Sequence, residues 1–232
     1  VTRLRALDLF CGAGGAGMGL HLAGFDVTGI DIATQPRYPF RFIQADAMSP
    51  PVKLSGFDLI WASPPCQGYS IMRNLPWNRE KSYPMLIPAV REMLIASGSH
   101  YIIENVNQAR RTDALPEGLE GGYLCGAMFG LPLYRHRRFE TSFYWLAPAH
   151  PRHVQVIRGG HTLAGRARDI TWASWPGRRG DTTVGHGPTA RLKAREAMGV
   201  EWMRADEAGQ AIPPAFSEYL GSCARAAFKE GL

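Results

Sequence analysis

The sequence predicts an α/β fold: a mainly parallel sheet with helices on both faces, plus a small irregular lobe. Short apolar runs alternate with helical periodicity through the first third of the chain, as in RALDLF (Arg5–Phe10), FDVTGIDI (Phe25–Ile32) and FDLIWA (Phe57–Ala62). A glycine cluster, CGAGGAG, joins the first of these runs to a helical segment. The 232 residues suffice for one substantial core, and a split into two such cores would be tight.

The elements follow in order. Arg5–Phe10 reads as a strand, Met18–Ala23 as a helix and Phe25–Ile32 as the next strand, which completes a βαβ unit. A third strand precedes QADAM, and Phe57–Ala62 is a buried strand ending at Ser63-Pro64-Pro65. Pro84–Ala96 suits a helix with Leu86, Val90, Met93 and Leu94 on one face, although Pro88 pushes its regular part later. His100–Glu104 is a strand again, and RHRRF is expected to be extended. Residues 146–190 are rich in Gly, Pro, Arg and His with little periodicity, and read as an irregular insertion. From Arg191 the chain turns helical, and Phe216, Tyr219, Leu220, Cys223 and Ala227 fall at the spacing of a final helix that packs back on the core. The expected division is a catalytic and cofactor-binding unit over 1–145, an insertion over 146–190 and a returning segment over 191–232.

Composition narrows the function classes. With 45% hydrophobic and 20% charged residues the chain is globular in character. No apolar run reaches the roughly 18 residues of a membrane span, and VTRLRALDLF lacks the form of a signal peptide, so a cytoplasmic location is expected. Cys11, Cys66, Cys125 and Cys223 stand far apart, with neither a CxxC pair nor a His/Cys cluster at zinc spacing, so no metal and no disulfide framework is expected. Residues 146–190 hold six arginines against two aspartates, four of the net +6, an asymmetry that suits a polyanionic partner such as nucleic acid or simply a solvated basic loop.

Two groups of residues carry chemistry. Gly12, Gly14 and Gly17 have G-x-G-x-x-G spacing between a strand and a helix, which lets the backbone approach a nucleotide-like ligand. Asp31 ends the next strand, where a carboxylate accepts from ribose hydroxyls, and Asp46 is available to an adenine amino group. NAD fits that geometry as well. Asp8 just before a loop with no lysine or arginine suits the cationic end of S-adenosylmethionine better than a pyrophosphate.

The second group centres on Cys66 in SPPCQGYS, beyond the carboxyl end of a buried strand and stiffened by Pro64 and Pro65. Glu104 of ENV ends the neighbouring strand, and alternation in RHRRF would aim Arg135 and Arg137 to one side. A thiol nucleophile, a carboxylic acid and guanidiniums around one cleft suit attack on an electron-poor ring. Each also has a plainer use: cysteines are often just buried, glutamates cap or pair, and arginines meet solvent or phosphate.

DLFCGAGG, SPPCQGYS, ENV, RHRRF, REAMGV and GQAIPP, in this order, closely resemble the motifs of the cytosine-C5 DNA methyltransferases. The resemblance implies a Rossmann-like class I methyltransferase sheet and S-adenosyl-L-methionine as cofactor, with S-adenosyl-L-homocysteine as product. It implies that Cys66 attacks C6 of a flipped cytosine, that Glu104 meets N3, and that Arg135 and Arg137 orient the base. It assigns the cofactor to Asp8, Phe10, Gly12, Gly14, Asp31, Ile32, Asp46, Ala47, Pro65, Gln210 and Ile212. DNA contacts are expected at Gln67, Ser70, Arg73 and Arg79 of a mobile Gln67–Tyr83 loop that also holds Trp77 and Lys81, and at Arg178 and Arg179. Trp172 and Trp175 are either contacts or the lobe's miniature core. Duplex DNA is the expected partner of a monomeric bacterial or phage-encoded enzyme.

Two positions depart from the family pattern, since Leu133 stands where glutamine is usual and Gln210 where asparagine is usual. The recognition region is also short, which implies a short or relaxed target sequence, because each good bidentate base contact discriminates by about 1–3 kcal/mol. The competing readings are a tRNA cytosine-C5 methyltransferase, a non-catalytic nucleic-acid-binding relative, and a dehydrogenase, the last of which leaves Cys66 and Glu104 without a role.

Overall fold

The computed structural model describes residues 3–70, 81–112, 115–131, 133–153, 161–162, 165–166 and 195–230. A seven-stranded sheet runs through its centre in the order β3-β2-β1-β4-β5-β7-β6. The strands are β1 (Arg5–Leu9), β2 (Asp26–Asp31), β3 (Arg41–Gln44), β4 (Leu59–Ala62), β5 (His100–Val106), β6 (Tyr123–Leu124) and β7 (Arg137–Thr141). β1 to β5 are mutually parallel, and β7 enters antiparallel between β5 and β6. Strand order reverses between β1 and β4, the place where open α/β sheets bind ligands.

Alternation along the strands supplies both faces of the sheet. Ala6, Leu59, Trp61 and Ile102 point to one core, which is closed by α1 (Gly15–Leu22) and by the last helix through Phe216, Leu220 and Ala224. Leu7, Leu9, Ile60, Ala62 and Ile103 point to the other, closed by Ile87, Val90 and Leu94 of α2 (Ile87–Ser97). Pro88 sits in the first turn of α2, where its missing N–H costs no intrahelical bond, and Gly98 at φ 72° ends that helix. A third cluster joins Ala13, Leu133, Met198, Val200 and Met203, so Leu133 is a core residue here.

The first helix begins at Gly15, three residues earlier than its periodicity predicts. Close packing outweighs the weak propensity of GAG: a Cβ on Gly19 would lie 2.1 Å from Pro214 O and Ser217 Oγ of the last helix. The helical segment expected from Arg191 is described from residue 195, and it stops at Gly199, whose φ is 68°. A short helix the periodicity does not reveal, α3 (Ala205–Gln210), follows. Its Glu207 caps the Arg204 N–H at 2.6 Å and binds Arg37 at 2.8 Å. The final helix is α4 (Pro214–Glu230). Within the segment expected to be irregular, β8 (His161–Thr162) and β9 (Gly165–Arg166) form a small antiparallel pair. Among the described residues no helix is long and apolar enough to cross a membrane.

Candidate active site

Register brings the chemistry to one rim. Leu9 pairs with Ile30 and Ala62, and Ala62 pairs with Ile103, so one residue further on Phe10, Asp31, Ser63 and Glu104 stand side by side at the strand ends. β7 arrives from the opposite direction and sets Arg137 against Val106. Arg91 of α2 anchors β7 through a two-pronged pair with Glu140, at 2.6 and 2.8 Å.

The glycine half of the rim is built from main chain. Phe10, at φ 58°, is the one non-glycine residue with positive φ among the described residues, a conformation that costs about 1–3 kcal/mol and clusters at ligand sites. It turns the chain out of β1 into the loop, where Gly12 (φ 49°) and Gly14 (φ 89°) also need left-handed backbone. The Gly12 N–H donates to Asp31 Oδ2 at 3.0 Å and the Ala33 N–H to Oδ1 at 2.9 Å, which fixes the carboxylate at the end of β2. Ile32 beside it is 72% exposed, an apolar surface next to a fixed carboxylate. Asp46 is exposed and forms a turn through the Met48 N–H at 2.9 Å, while Ala47 is buried.

Asp8 stands elsewhere than on the open rim. It is fully buried beneath α1, where Oδ2 accepts from the Tyr38 hydroxyl at 3.1 Å and the Gly17 N–H also bonds the carboxylate. Burial pushes its pKa well above the usual carboxylate range, and Oδ1 has no hydrogen-bond partner among the described residues. Asp8 therefore buttresses the glycine loop from below.

The C-terminal segment closes over the same loop. Trp202 Nε1 donates to Ala13 O at 2.9 Å, and a Cβ on Gly15 would lie 2.6 Å from Ile212 O. Ile212 is buried and Gln210 exposed. Arg135 Nη2 donates to Gly209 O at 3.0 Å, joining this segment to the other half of the rim.

That other half is built from side chains. Arg137 Nε lies 3.1 Å from Glu104 Oε1, both groups being largely buried, and Arg137 Nη1 donates to His136 O at 2.9 Å. The Ser63 hydroxyl accepts from Trp61 Nε1 at 2.8 Å and hydrogen-bonds Glu104. Burial raises the Glu104 pKa, with Arg137, the Ser63 hydroxyl and Arg135 partly opposing it. Burial likewise pushes the Cys66 thiol up, Arg137 draws it down, Glu104 raises it and Arg135 lowers it. The structure thus brings Cys66, Glu104, Arg135 and Arg137 into one electrostatic neighbourhood.

Beyond Cys66 the chain turns sharply, with the Tyr69 and Ser70 N–H groups donating to Cys66 O at 3.0 and 2.9 Å. Pro65 is half-buried and Gln67 exposed. Arg73, Trp77, Arg79, Trp172, Trp175, Arg178 and Arg179 lie outside the described residues.

Two positioning residues escaped the sequence reading. Asn105 is buried and its Nδ2 donates to Pro64 O at 2.8 Å, tying the proline turn to β5. Tyr69 accepts the Ile87 N–H at 3.0 Å and holds the far side of that turn on α2. The signal for Asn105 was present: an amide on a buried strand needs a partner.

A seven-stranded sheet with an antiparallel β7 and a glycine loop after β1, facing half-buried Cys66 and a buried Glu/Arg pair, defines the class as a Rossmann-like α/β fold of the kind found in methyltransferases. The Dnmt2 methyltransferase of S. pombe shares it, with a TM-score of 0.59 at 15% identity over 98% of this chain and 99% of that one. So does the Entamoeba histolytica methyltransferase EhMeth, at 0.60 and 11% identity over 98% and 99%. Residues 4–117 match the C-5 cytosine-specific DNA methylase family. The Type II methyltransferase M.AgeI of Thalassovita gelatinovora is 26% identical over 195 residues, 69% of this chain. The chain spans about half of that relative's length, 45%.

Proposed function

We propose that the chain transfers a methyl group from S-adenosylmethionine to C5 of a cytosine flipped out of duplex DNA. The observation that carries this reading is Cys66 set against the Glu104–Arg137 ion pair, across the strand-order reversal from the Asp31 loop.

The cofactor's chemistry fits the donor set of the loop. Asp31, already held by two N–H groups, keeps acceptor capacity for two ribose hydroxyls, and exposed Ile32 offers an apolar face to adenine. Gly12, Gly14 and Phe10 bring backbone to the ligand, Ala47, Pro65 and Ile212 line the pocket, and Asp46 and Gln210 are its exposed polar groups. When bound, the cofactor supplies an electrophilic methyl group.

The chain's own residues do the rest. The Cys66 thiolate forms a bond to C6, the C5=C6 electron pair moves towards C5, and Glu104 delivers a proton to N3. Arg137 and Arg135 hold the exocyclic oxygen and balance the charge that develops there. C5 would take the methyl group from bound S-adenosylmethionine, leaving S-adenosylhomocysteine; N3 would return its proton to Glu104, the C5 proton would leave to a base, and the C6–S bond would break to return the thiolate. The raised Glu104 pKa suits a proton donor, and the two arginines oppose the rise in the Cys66 thiol.

Base flipping follows from chemistry on C5 and C6, which are stacked within the duplex. Arg110, Arg111 and Arg138 around an open groove at the β6 edge supply positive charge beside the rim for the phosphate backbone. The 146–190 insertion is the recognition lobe, and Gln67, Ser70, Arg73, Arg79, Arg178 and Arg179 contact DNA. Incubation with cofactor and 5-fluorocytosine duplex should trap a covalent complex that survives denaturation. Absence of the adduct on an active-site-competent preparation, or labelled methyl transfer to tRNA but not to duplex DNA, overturns the reading.

A further inference from the structure

The fold gathers four metal-ligating groups at a place the methyl-transfer chemistry does not use. Cys125, His136, His150 and His153 offer one thiol and three imidazoles whose ligand atoms all lie within 4.8 Å of one another. His136 Nε2 stands 3.3 Å from His150 Nε2, and Cys125 Sγ stands 3.4 Å from His153 Nε2. We propose that these four residues bind a structural zinc ion that clamps the first residues of the insertion against the edge of the catalytic sheet.

The distances carry the metal. Around tetrahedral zinc, with bonds of about 2.0–2.1 Å to nitrogen and about 2.3 Å to sulfur, two nitrogens sit about 3.4 Å apart and a sulfur and a nitrogen about 3.6 Å. The His136–His150 and Cys125–His153 separations match those edges to within about 0.2 Å, and torsion of the imidazoles closes the remainder. One thiolate with three imidazoles is a donor set for zinc rather than for magnesium or calcium, which take oxygen. Four protein ligands fill the tetrahedron, so the site is closed and structural.

The surroundings are those of a held ligand set. The Met128 N–H reaches the Cys125 sulfur, the Tyr134 ring stacks on His153 at 3.8 Å and 16°, and Tyr123 flanks His136 and His150 at 5.8 Å each. Cys125 follows β6, His136 immediately precedes β7, and His150 and His153 lie on the outgoing segment. Sequence spacing conceals the group, because only His150 and His153 are near neighbours; the expectation of no metal rested on that spacing. A clamp here has a physical purpose. A lobe of some fifty residues buries little apolar surface, and small units commonly need a staple. The same ion would fix His136, whose carbonyl receives Arg137 Nη1.

The test uses untagged full-length protein purified without chelator. Elemental analysis should find one equivalent of zinc, and exchange with cobalt(II) should give the intense visible bands of a tetrahedral site plus a thiolate-to-cobalt charge-transfer band. Cys125→Ser should lose the charge-transfer band, and His150→Ala should lower zinc content and affinity at least tenfold, with far-ultraviolet dichroism reporting that each variant is folded. Metal-free protein that takes up no cobalt in tetrahedral form overturns the site. So does a charge-transfer band that persists in Cys125→Ser. Should both variants fail to fold, the wild-type cobalt spectrum decides alone.

Discussion

The two halves of the sheet rim are built by different means. Over β1 and β2 the rim consists of glycines in left-handed backbone and one carboxylate fixed by two main-chain N–H groups. Over β4, β5 and β7 it consists of side chains that constrain one another, with half-buried Cys66 beside buried Glu104, Arg135 and Arg137. In the proposed function the first arrangement would grip a cofactor that must come and go, and the second would tune proton affinities for a reaction. Substitutions should therefore separate cleanly, with the first half governing cofactor KM and the second governing kcat.

The largest effect falls on the nucleophile. Cys66→Ser should lower kcat by at least about 10⁴-fold and abolish the 5-fluorocytosine adduct, since a serine hydroxyl is far less ionised than a thiol. Calorimetry should find cofactor affinity unchanged. A loss of cofactor binding in the variant would show that the halves are not separable.

Glu104→Gln comes next, with kcat down by roughly 10²–10⁴-fold, the usual range for a lost general acid. Its pH profile is the sharper readout. Turnover needs Cys66 ionised and Glu104 protonated, and burial raises both groups. That singly protonated pair is depleted at low pH, where both hold protons, and at high pH, where neither does, so the wild-type profile is a bell. The amide introduced by Glu104→Gln cannot ionise, so the alkaline limb should vanish and the rate should climb with pH until the thiol is fully ionised. An alkaline limb that persists in the variant would assign that limb to another group.

How much of this was legible in the sequence follows from the same contrast. The glycine half is local: strand, loop, helix and Asp31 lie within a few dozen residues, and their spacing carries their geometry. Cys66 and Glu104 were also readable as strand-end residues. Their union with Arg137 was expected from the motifs, but the means was not legible, because β7 arrives antiparallel and pairs with β5 on one side and β6 on the other, with Arg91 bound to its Glu140. The burial of Asp8 was hidden for a related reason: one residue's position along β1 decides whether a carboxylate stands on the rim or lies under the helix, and pattern alone does not reveal the Tyr38 hydroxyl that bonds it. Helix α3 was hidden because its six residues bury only Ala208 and Gly209, too few to make a periodic signal. The Cys125 and histidine cluster spans two strands and a loop, beyond any spacing rule.

On the cofactor side the main effect belongs to Asp31. Asp31→Ala removes a carboxylate that would accept from ribose and also frees the Gly12 and Ala33 N–H groups. Hydrogen bonds to a charged group are worth about 1.5–3 kcal/mol, so cofactor KM should rise roughly 10- to 150-fold while kcat at saturation changes little. A fall in saturated kcat without a change in KM would reverse the assignment of the two halves.

The mildest substitution probes the seam. Trp202→Phe keeps an aromatic ring in the third cluster and deletes one hydrogen bond, from Nε1 to Ala13 O. Such a bond contributes about 0.5–1.5 kcal/mol, which predicts a rise in cofactor KM of roughly two- to tenfold. The C-terminal segment also reaches the base side, through Gly209 O and Arg135, so loosening its grip on the glycine loop could reach the other half. Adduct formation at saturating cofactor tells the two apart. An unchanged rate means the segment acts only as a lid on the loop, whereas a slower one means Arg135 is held in place from across the rim.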